Sequence, residues 1–326
     1  MGEKALFIRF SSLGDVIISN YSAMMTKQIH PDWSITWLVD SLYAPIVRSQ
    51  PWVDFVIEWD RAKSGNLGFL KILRDVRRAK FNVVVDMHST DRSNFFVCLS
   101  GIPVKYGNMN LNIPFKIYAR DIDTDLLKGK GDISRCRSYL AAGEPTGKVA
   151  ALLEGGDSSR GLIIMAIGAS YPKKRWPVSS WIQFSRLAIS KGYRLAMVGD
   201  GKDEERAAYE IEKALRTSSI INAVGKLSLS ELVEAVSRGD IVLSGDTGPM
   251  HIGRALGLPV VAMFGPSLVN KDYMAGFYKT LFSSCGELGC ARWTCGKPCL
   301  ETIEPDKVFS YVEKYFNEAE ALRYGR

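Results

Sequence analysis

The stretch IVLSGDTGPMHIGRALGLPVVAMFGPS, residues 241–267, decides how this chain folds. Ile241 to Leu243 is a short aliphatic run that stops at Ser244-Gly245-Asp246-Thr247-Gly248, a string of small, turn-forming residues. A helix starts there, and the next apolar run, near 259–264, is a second strand. Strand, turn, helix and strand in this order make a parallel βαβ unit. The unpaired N–H groups at the helix start point back at the strand end and form a ready anion site. The positive dipole end is worth ~0.3–1 kcal/mol when exposed and up to ~2 when partly buried. Gly245 and Gly248 permit close backbone approach, Thr247 can cap the helix or hold a phosphate oxygen, and His251 lies one turn in, facing the same mouth. Asp246 repels phosphate, so its place there is to order the loop or to accept a hydrogen bond. An ordinary capped helix after a strand is the plainer alternative.

Outward from this unit the pattern repeats. Strands are expected near 162–167, 194–198, 219–222 and 240–244, with helices between them. The first half has its own series near 5–10, 35–39, 53–58 and 81–86, where FNVVVD at 81–86 suits a strand buried on both faces. Between the halves lies EGGDSSRG at 154–161, a polar, glycine-rich stretch that reads as a linker. The chain is therefore α/β, with two doubly wound domains facing a cleft, 1–155 and 156–326. The final helix, about 305–319, starts at Pro305 and aligns Val308, Val312 and Phe316 on one face, which suits packing back on the N-terminal domain.

A second basic element, IGASYPKKRWPVSSWIQF at 167–184, leaves a strand at Ile167 and enters a helix near Val178. Lys173, Lys174 and Arg175 lie in the loop between, stiffened by Pro172 and Pro177. Cations at a strand's C-terminal end suit a diphosphate, and open α/β sheets bind ligands along that edge.

The bulk properties fit a folded protein. The chain has 326 residues, 46% hydrophobic and 24% charged, and no apolar run nears the ~18 residues of a membrane span. Arg9 interrupts the only apolar stretch at the N-terminus, which argues against a secretory signal. The net charge of +7 favours an anionic partner. Its basic residues are not interleaved with aromatics in a stripe, so nucleic acid is set aside. On the helix at about 67–80, Phe69, Leu70, Leu73 and Val76 lie on one side, and Lys71, Arg74, Arg77, Arg78 and Lys80 largely on the other. That basic face is either solvated or docked on an anionic surface. Four cysteines crowd into CGELGCARWTCGKPC: Cys285, Cys290, Cys295 and Cys299. The spacing is looser than that of a zinc ribbon and leaves open a structural zinc, an iron–sulfur cluster, disulfides or reduced thiols. Cys98 and Cys136 are isolated and read as ordinary thiols.

The chain opens with ALFIRFSSLGDVIIS at 5–19, a strand, a tight turn and a helix. A dinucleotide fingerprint would place three glycines here; this turn has Gly14 alone, followed by Asp15. Ser-Ser-Leu-Gly-Asp at this position, Lys-Lys-Arg-Trp-Pro at 173–177 and Asp-Thr-Gly-Pro-Met-His at 246–251 together resemble the heptosyltransferases of glycosyltransferase family 9. The likeness runs along nearly the whole chain and includes VVVDMHSTDRSNFFVCLSGIPVKYG at 83–107 and GKLSLSELVEAVSRGD at 225–240.

The resemblance implies two Rossmann-like domains of the GT-B kind. The nucleotide sugar would sit on the C-terminal domain and the lipopolysaccharide core acceptor on the N-terminal one. It implies inverting transfer of heptose from a nucleotide diphosphate sugar, ADP-heptose, with no cofactor or metal needed for catalysis. Asp15 would then be the base that takes the proton of the attacking sugar hydroxyl, with Ser11, Ser12 and Gly14 shaping its turn; the alternative is a mere helix cap. Lys174 would neutralise the departing diphosphate, Thr247 and Gly248 would grip it, and His251 would meet the phosphate or the donor sugar. Ala169 and Ser170 fall where the family lines the donor phosphates, Glu204 where ribose hydroxyls are held, and Leu227 where the base is met. On the acceptor side His88 and Arg92 follow the strand 81–86 and could meet acidic sugars or phosphates. A cytoplasmic donor and a lipid-borne acceptor would place the enzyme peripherally on the inner face of the cytoplasmic membrane. The rival readings are a family member using another nucleotide sugar, a nucleotide-sugar 2-epimerase, and a non-catalytic nucleotide-sugar-binding protein. The epimerase should show more acid–base candidates than a chain with three histidines offers.

Overall fold

The computed structural model describes residues 2–107, 120–122, 126, 140, 145–154, 160–267, 277–285 and 289–324. The chain divides into two compact units, Met1–Ala141 and Ala142–Arg326.

The first unit alternates strand and helix: β1 (Lys4–Ile8), α1 (Leu13–Ile29), β2 (Ser34–Asp40), α2 (Ala44–Arg48), β3 (Phe55–Trp59), α3 (Arg61–Ala79), β4 (Val83–Asp86), α4 (Asp91–Ser100), β5 (Val104–Gly107) and β6 (Arg120–Asp121). The strands form one parallel sheet in the order β3-β2-β1-β4-β5-β6. Along β1, Ala5 and Phe7 enter the core on one face while Leu6 and Ile8 enter the core on the other. Because helices cover both faces, the central strands can be apolar at every position.

The second unit repeats this build: α5 (Gly147–Leu153), β7 (Leu162–Ala166), α6 (Val178–Ser190), β8 (Arg194–Val198), α7 (Lys202–Leu215), β9 (Ile220–Asn222), α8 (Leu229–Ser237), β10 (Ile241–Gly245), α9 (Gly248–Ala255), β11 (Val260–Phe264), β12 (Lys279–Phe282) and α10 (Pro305–Tyr324). Its parallel sheet runs β9-β8-β7-β10-β11-β12. Both sheets thus have the doubly wound order 3-2-1-4-5-6. In each, the strand order reverses beside the first strand, between β1 and β4 and between β7 and β10. Ligands of such sheets bind at that switch point, outside the carboxyl ends of the strands.

One expectation is corrected, the boundary between the units. The polar stretch at 154–161 does not separate the units, because α5 precedes it and belongs to the second. The Thr146 backbone N–H and hydroxyl donate to Glu234 of α8 at 2.8 and 2.7 Å, and Lys148 Nζ donates to Glu231 at 2.9 Å. These bonds hold α5 on α8, and the division falls after Ala141 rather than 155. The last helix, α10, has its apolar face in the second unit's own core. Val308, Phe309 and Val312 join the second unit's core with Trp181, Phe184 and Tyr193. The strands β5, β6 and β12 were not expected at all: they are short and lie at or next to the sheet edges, where burial asks less of the sequence.

Candidate active site

The second unit gathers its candidate residues at the switch point between β7 and β10. After β7 the chain makes a 3-10 turn, Pro172–Lys174, which carries Lys174 to the loop that follows β10. Lys174 Nζ lies 2.5 Å from Asp246 Oδ2, and Ser267 Oγ donates to the same oxygen at 2.6 Å. His251 Nε2 is 3.9 Å from Asp246 Oδ1. Burial works to raise the Asp246 carboxyl, yet the bonds from Lys174 and Ser267 and the nearby positive charge outweigh it. Asp246 is therefore an anion below its ordinary pKa, and it fixes a lysine beside the start of α9. Thr247 is the N-cap residue of that helix but makes no side-chain cap bond; its hydroxyl lies 3.0 Å from Ser244 Oγ, and Gly248 is the first helical residue. Gly245 has a specific reason: a Cβ there would come 2.7 Å from the Lys174 carbonyl oxygen.

Only one of the three basic residues in the 173–175 run points at this centre. Lys173 Nζ donates to the Lys297 carbonyl at 2.8 Å. Arg175 donates to the Ala169 carbonyl at 2.7 Å and to Asp203 at 2.8 Å, and lies 3.7 Å from Glu204 Oε1. Lys174 also stands 5.1 Å over the ring of Trp293, which stacks on Tyr171 at 4.7 Å. Nothing in the sequence marks Trp293 as part of this cluster, because the segment that brings it there is irregular.

The remaining donor candidates follow other strand ends of the same edge. Ala169 is buried and Ser170 exposed just after β7. Glu204 is buried in the first turn of α7, against Gly168, where a Cβ would come 2.2 Å from Glu204 Cγ. Leu227 is half-buried in the turn between β9 and α8. Arg175 links Ala169 to Glu204, whereas Leu227 lies further out, beside the edge strand.

The first unit has a smaller cluster at its own switch point, between β1 and β4. Asp15 is the third residue of α1, where the helix dipole favours a carboxylate. It accepts from the Ser12 backbone N–H at 3.1 Å and from the Ser12 hydroxyl at 3.0 Å, and Arg9 Nη2 lies 2.6 Å away. Burial pulls its pKa up, but the charge of Arg9 and the bonds from Ser12 and Arg9 hold it below the ordinary aspartate value. The Asp15 side chain is still 47% exposed. Ser11 and Gly14 complete the turn, Gly14 buried in the first turn of α1.

Arg9 also donates to the Met87 carbonyl at 2.5 Å and so joins β1 to the segment after β4. There the buried Asp86 accepts from the backbone N–H groups of His88 and Ser89 at 2.9 and 3.1 Å. The His88 ring packs edge-on against Phe10 at 5.0 Å. Arg92 is exposed in the first turn of α4. Sequence reasoning missed Arg9 as a site residue, although a lone cation inside the apolar run Ala5 to Phe10 was the available signal.

Among the described residues no three His, Cys, Asp or Glu side chains gather closely enough to hold an ion. Cys285, Cys290, Cys295 and Cys299 are not joined in disulfides. Cys299 is buried against Gly265, and burial pushes its thiol up, while Cys290 and Cys295 lie half-buried along a segment tied down by the Ala291 N–H to the Pro266 carbonyl at 2.8 Å. Cys136 lies outside the described residues.

Comparison with known proteins gives a consistent picture. The model for glycosyltransferase family 9 (heptosyltransferase) matches residues 69–271, more than half of the chain. Lipopolysaccharide heptosyltransferase 1 of Campylobacter coli is 22% identical over 97% of this chain and 99% of its own. A family 9 glycosyl transferase from Veillonella parvula superposes with a TM-score of 0.78 at 20% identity, covering 97% of this chain and 98% of that one. The ADP-heptose lipopolysaccharide heptosyltransferase II of E. coli superposes with a TM-score of 0.75 at 19% identity, covering 98% and 100%.

Proposed function

The chain belongs to glycosyltransferase family 9, the heptosyltransferase family, and from that premise we propose that it transfers heptose from ADP-heptose to the lipopolysaccharide inner core with inversion and without a metal. The enzyme is a glycosyltransferase, which sets aside the epimerase and the non-catalytic binder. The observation that carries the reading is the division of chemistry between the units. A carboxylate kept ionised yet accessible lies at the switch point of the first sheet, and a half-buried lysine beside a helix N-terminus lies at that of the second.

In this reading the donor diphosphate lies on the start of α9. Lys174 shares its charge between Asp246 and the diphosphate, and Thr247 and Gly248 give the phosphates hydroxyl and backbone donors. His251 meets the phosphate or the donor sugar. Ala169 and Ser170 line the phosphates, Glu204 accepts from the ribose hydroxyls, and the Leu227 backbone meets the adenine. Asp15 takes the proton from an acceptor hydroxyl as that oxygen bonds to the anomeric carbon and the bond to the diphosphate breaks. ADP leaves with the electron pair, its charge balanced by Lys174 and the helix end, so no metal is called for. Attack from the face opposite the leaving group inverts the anomeric configuration. Ser11, Ser12, Gly14, His88 and Arg92 surround the acceptor, whose lipid brings the enzyme to the inner face of the cytoplasmic membrane.

The test is a donor panel of ADP-, UDP- and GDP-sugars, assayed by thermal shift and by mass of the product on heptose-free core acceptor. ADP-heptose alone should raise the melting temperature and add one heptose of inverted configuration. A shift and a product with another nucleotide sugar, and none with ADP-heptose, would replace the donor assignment.

A further inference from the structure

The outer face of α3 carries apolar side chains where a helix exposed only to water would not. The inner stripe of the helix, Ile72, Leu73 and Val76, is buried in the core of the first unit with Phe69 against it. Leu67 precedes Val76 by nine residues, half a turn out of phase with that stripe, and is 81% exposed. Leu70, at the stripe's margin, is 59% exposed, and so is Phe95 on α4, which stacks on Phe69 at 6.0 Å. These side chains are set among cations. Lys71, Arg74 and Arg78 follow Leu67 at four, seven and eleven residues, on the same helical row, and all are exposed. Arg77, in the row of Leu70, bonds across to the Leu99 carbonyl of α4 at 2.7 Å.

We propose that Leu67, Leu70 and Phe95, collared by Lys71, Arg74 and Arg78, form the surface by which the first unit docks on an anionic lipid bilayer. The apolar tips enter the headgroup–acyl boundary, while the long basic side chains lie along it with their charges at the lipid phosphates. Charge complementarity selects this occupant, since a row of cations through an apolar face disfavours self-association and favours an acidic surface.

The position of the patch deepens the reading of a lipid-borne acceptor, on which the proposal rests. α3 leaves the sheet at the carboxyl end of β3, the edge that also carries Asp15. Trp59 at that end packs on Phe10 at 5.1 Å and on Phe69 at 5.8 Å, and Phe10 immediately precedes the Ser11-Ser12 turn. One row of aromatic rings thus runs from the base's own turn to the docking face. A bilayer held there presents its outward sugars at the edge where Asp15 waits.

The experiment is co-sedimentation of the full chain with phosphatidylglycerol-containing vesicles and with phosphatidylcholine vesicles. Wild type should bind the anionic vesicles and release as salt rises. The triple variant Leu67→Ser/Leu70→Ser/Phe95→Ser should lose at least about tenfold in vesicle affinity. Arg74→Glu/Arg78→Glu should abolish binding. Both variants should keep the wild-type melting temperature and transfer to a lipid-free acceptor saccharide. Equal binding to both vesicle types, or wild-type vesicle affinity in the serine variant, overturns the proposal. A change of oligomeric state on serine substitution without loss of vesicle binding also overturns it. Vesicle binding without transfer to the saccharide defeats the proposed function alone, and transfer without vesicle binding defeats the docking surface alone.

Discussion

Asp15 holds its charge because three groups of two neighbouring residues work against its burial. The Arg9 guanidinium and the Ser12 backbone and hydroxyl donate to it, and together they outweigh desolvation. Without Arg9 the burial is less opposed, so the carboxyl pKa rises. Arg9→Gln should therefore move the acid limb of kcat/KM to higher pH, where the wild-type limb lies below the ordinary aspartate value of ~3.9. A pH–rate profile with an unmoved limb would separate Arg9 from the base. At this scale the sequence was informative where a residue contradicted its surroundings. Asp15 stood out because a carboxylate occupied a turn that resembles a phosphate loop, and Lys174 because it sat between two prolines at a strand end. Lys173 and Arg175 were equally basic in sequence; only the 3-10 turn decides that they face Lys297 and Asp203 instead. Trp293 had no signal, since it reaches Lys174 from a segment without periodicity.

Helices and central strands were legible because burial imposes a period on them. FNVVVD at 81–86 could only be a doubly covered strand, and β4 occupies it. The edge strands β6 and β12 escaped notice for the opposite reason, being short and partly polar. The same logic explains the misplaced boundary. A polar, glycine-rich stretch looks like a linker, but α5 before it is pinned to α8 by side-chain bonds that no local pattern reveals. That clasp has a pH signature. Lys148 and Ser228 hold Glu231 down to about 2, against 4.5 for an unperturbed glutamate. A depressed carboxyl stabilises the folded state fully above its unfolded pKa and loses that contribution as pH falls to its folded one. Wild type should then be more stable than Lys148→Ala by a constant margin above pH 4.5, and the margin should narrow from there toward pH 2. Urea titrations across that range measure it; a margin that does not depend on pH would show that Lys148 acts through packing instead.

Across the whole molecule, one sheet topology appears twice with opposite charges at its switch point. The first sheet presents a carboxylate at its switch point and the second presents a cation beside a helix N-terminus, each following the strand that the doubly wound order leaves open. This pairing was readable in outline because both turns follow apolar runs that could only be central strands. The central claim is that base and donor grip are separate functions carried by separate units. The most direct test measures donor affinity and single-turnover transfer side by side for Asp15→Asn. The account predicts donor affinity close to wild type with transfer slowed by at least ~10². An Asp15→Asn enzyme that transfers at the wild-type rate, or that fails to bind ADP-heptose, would contradict it.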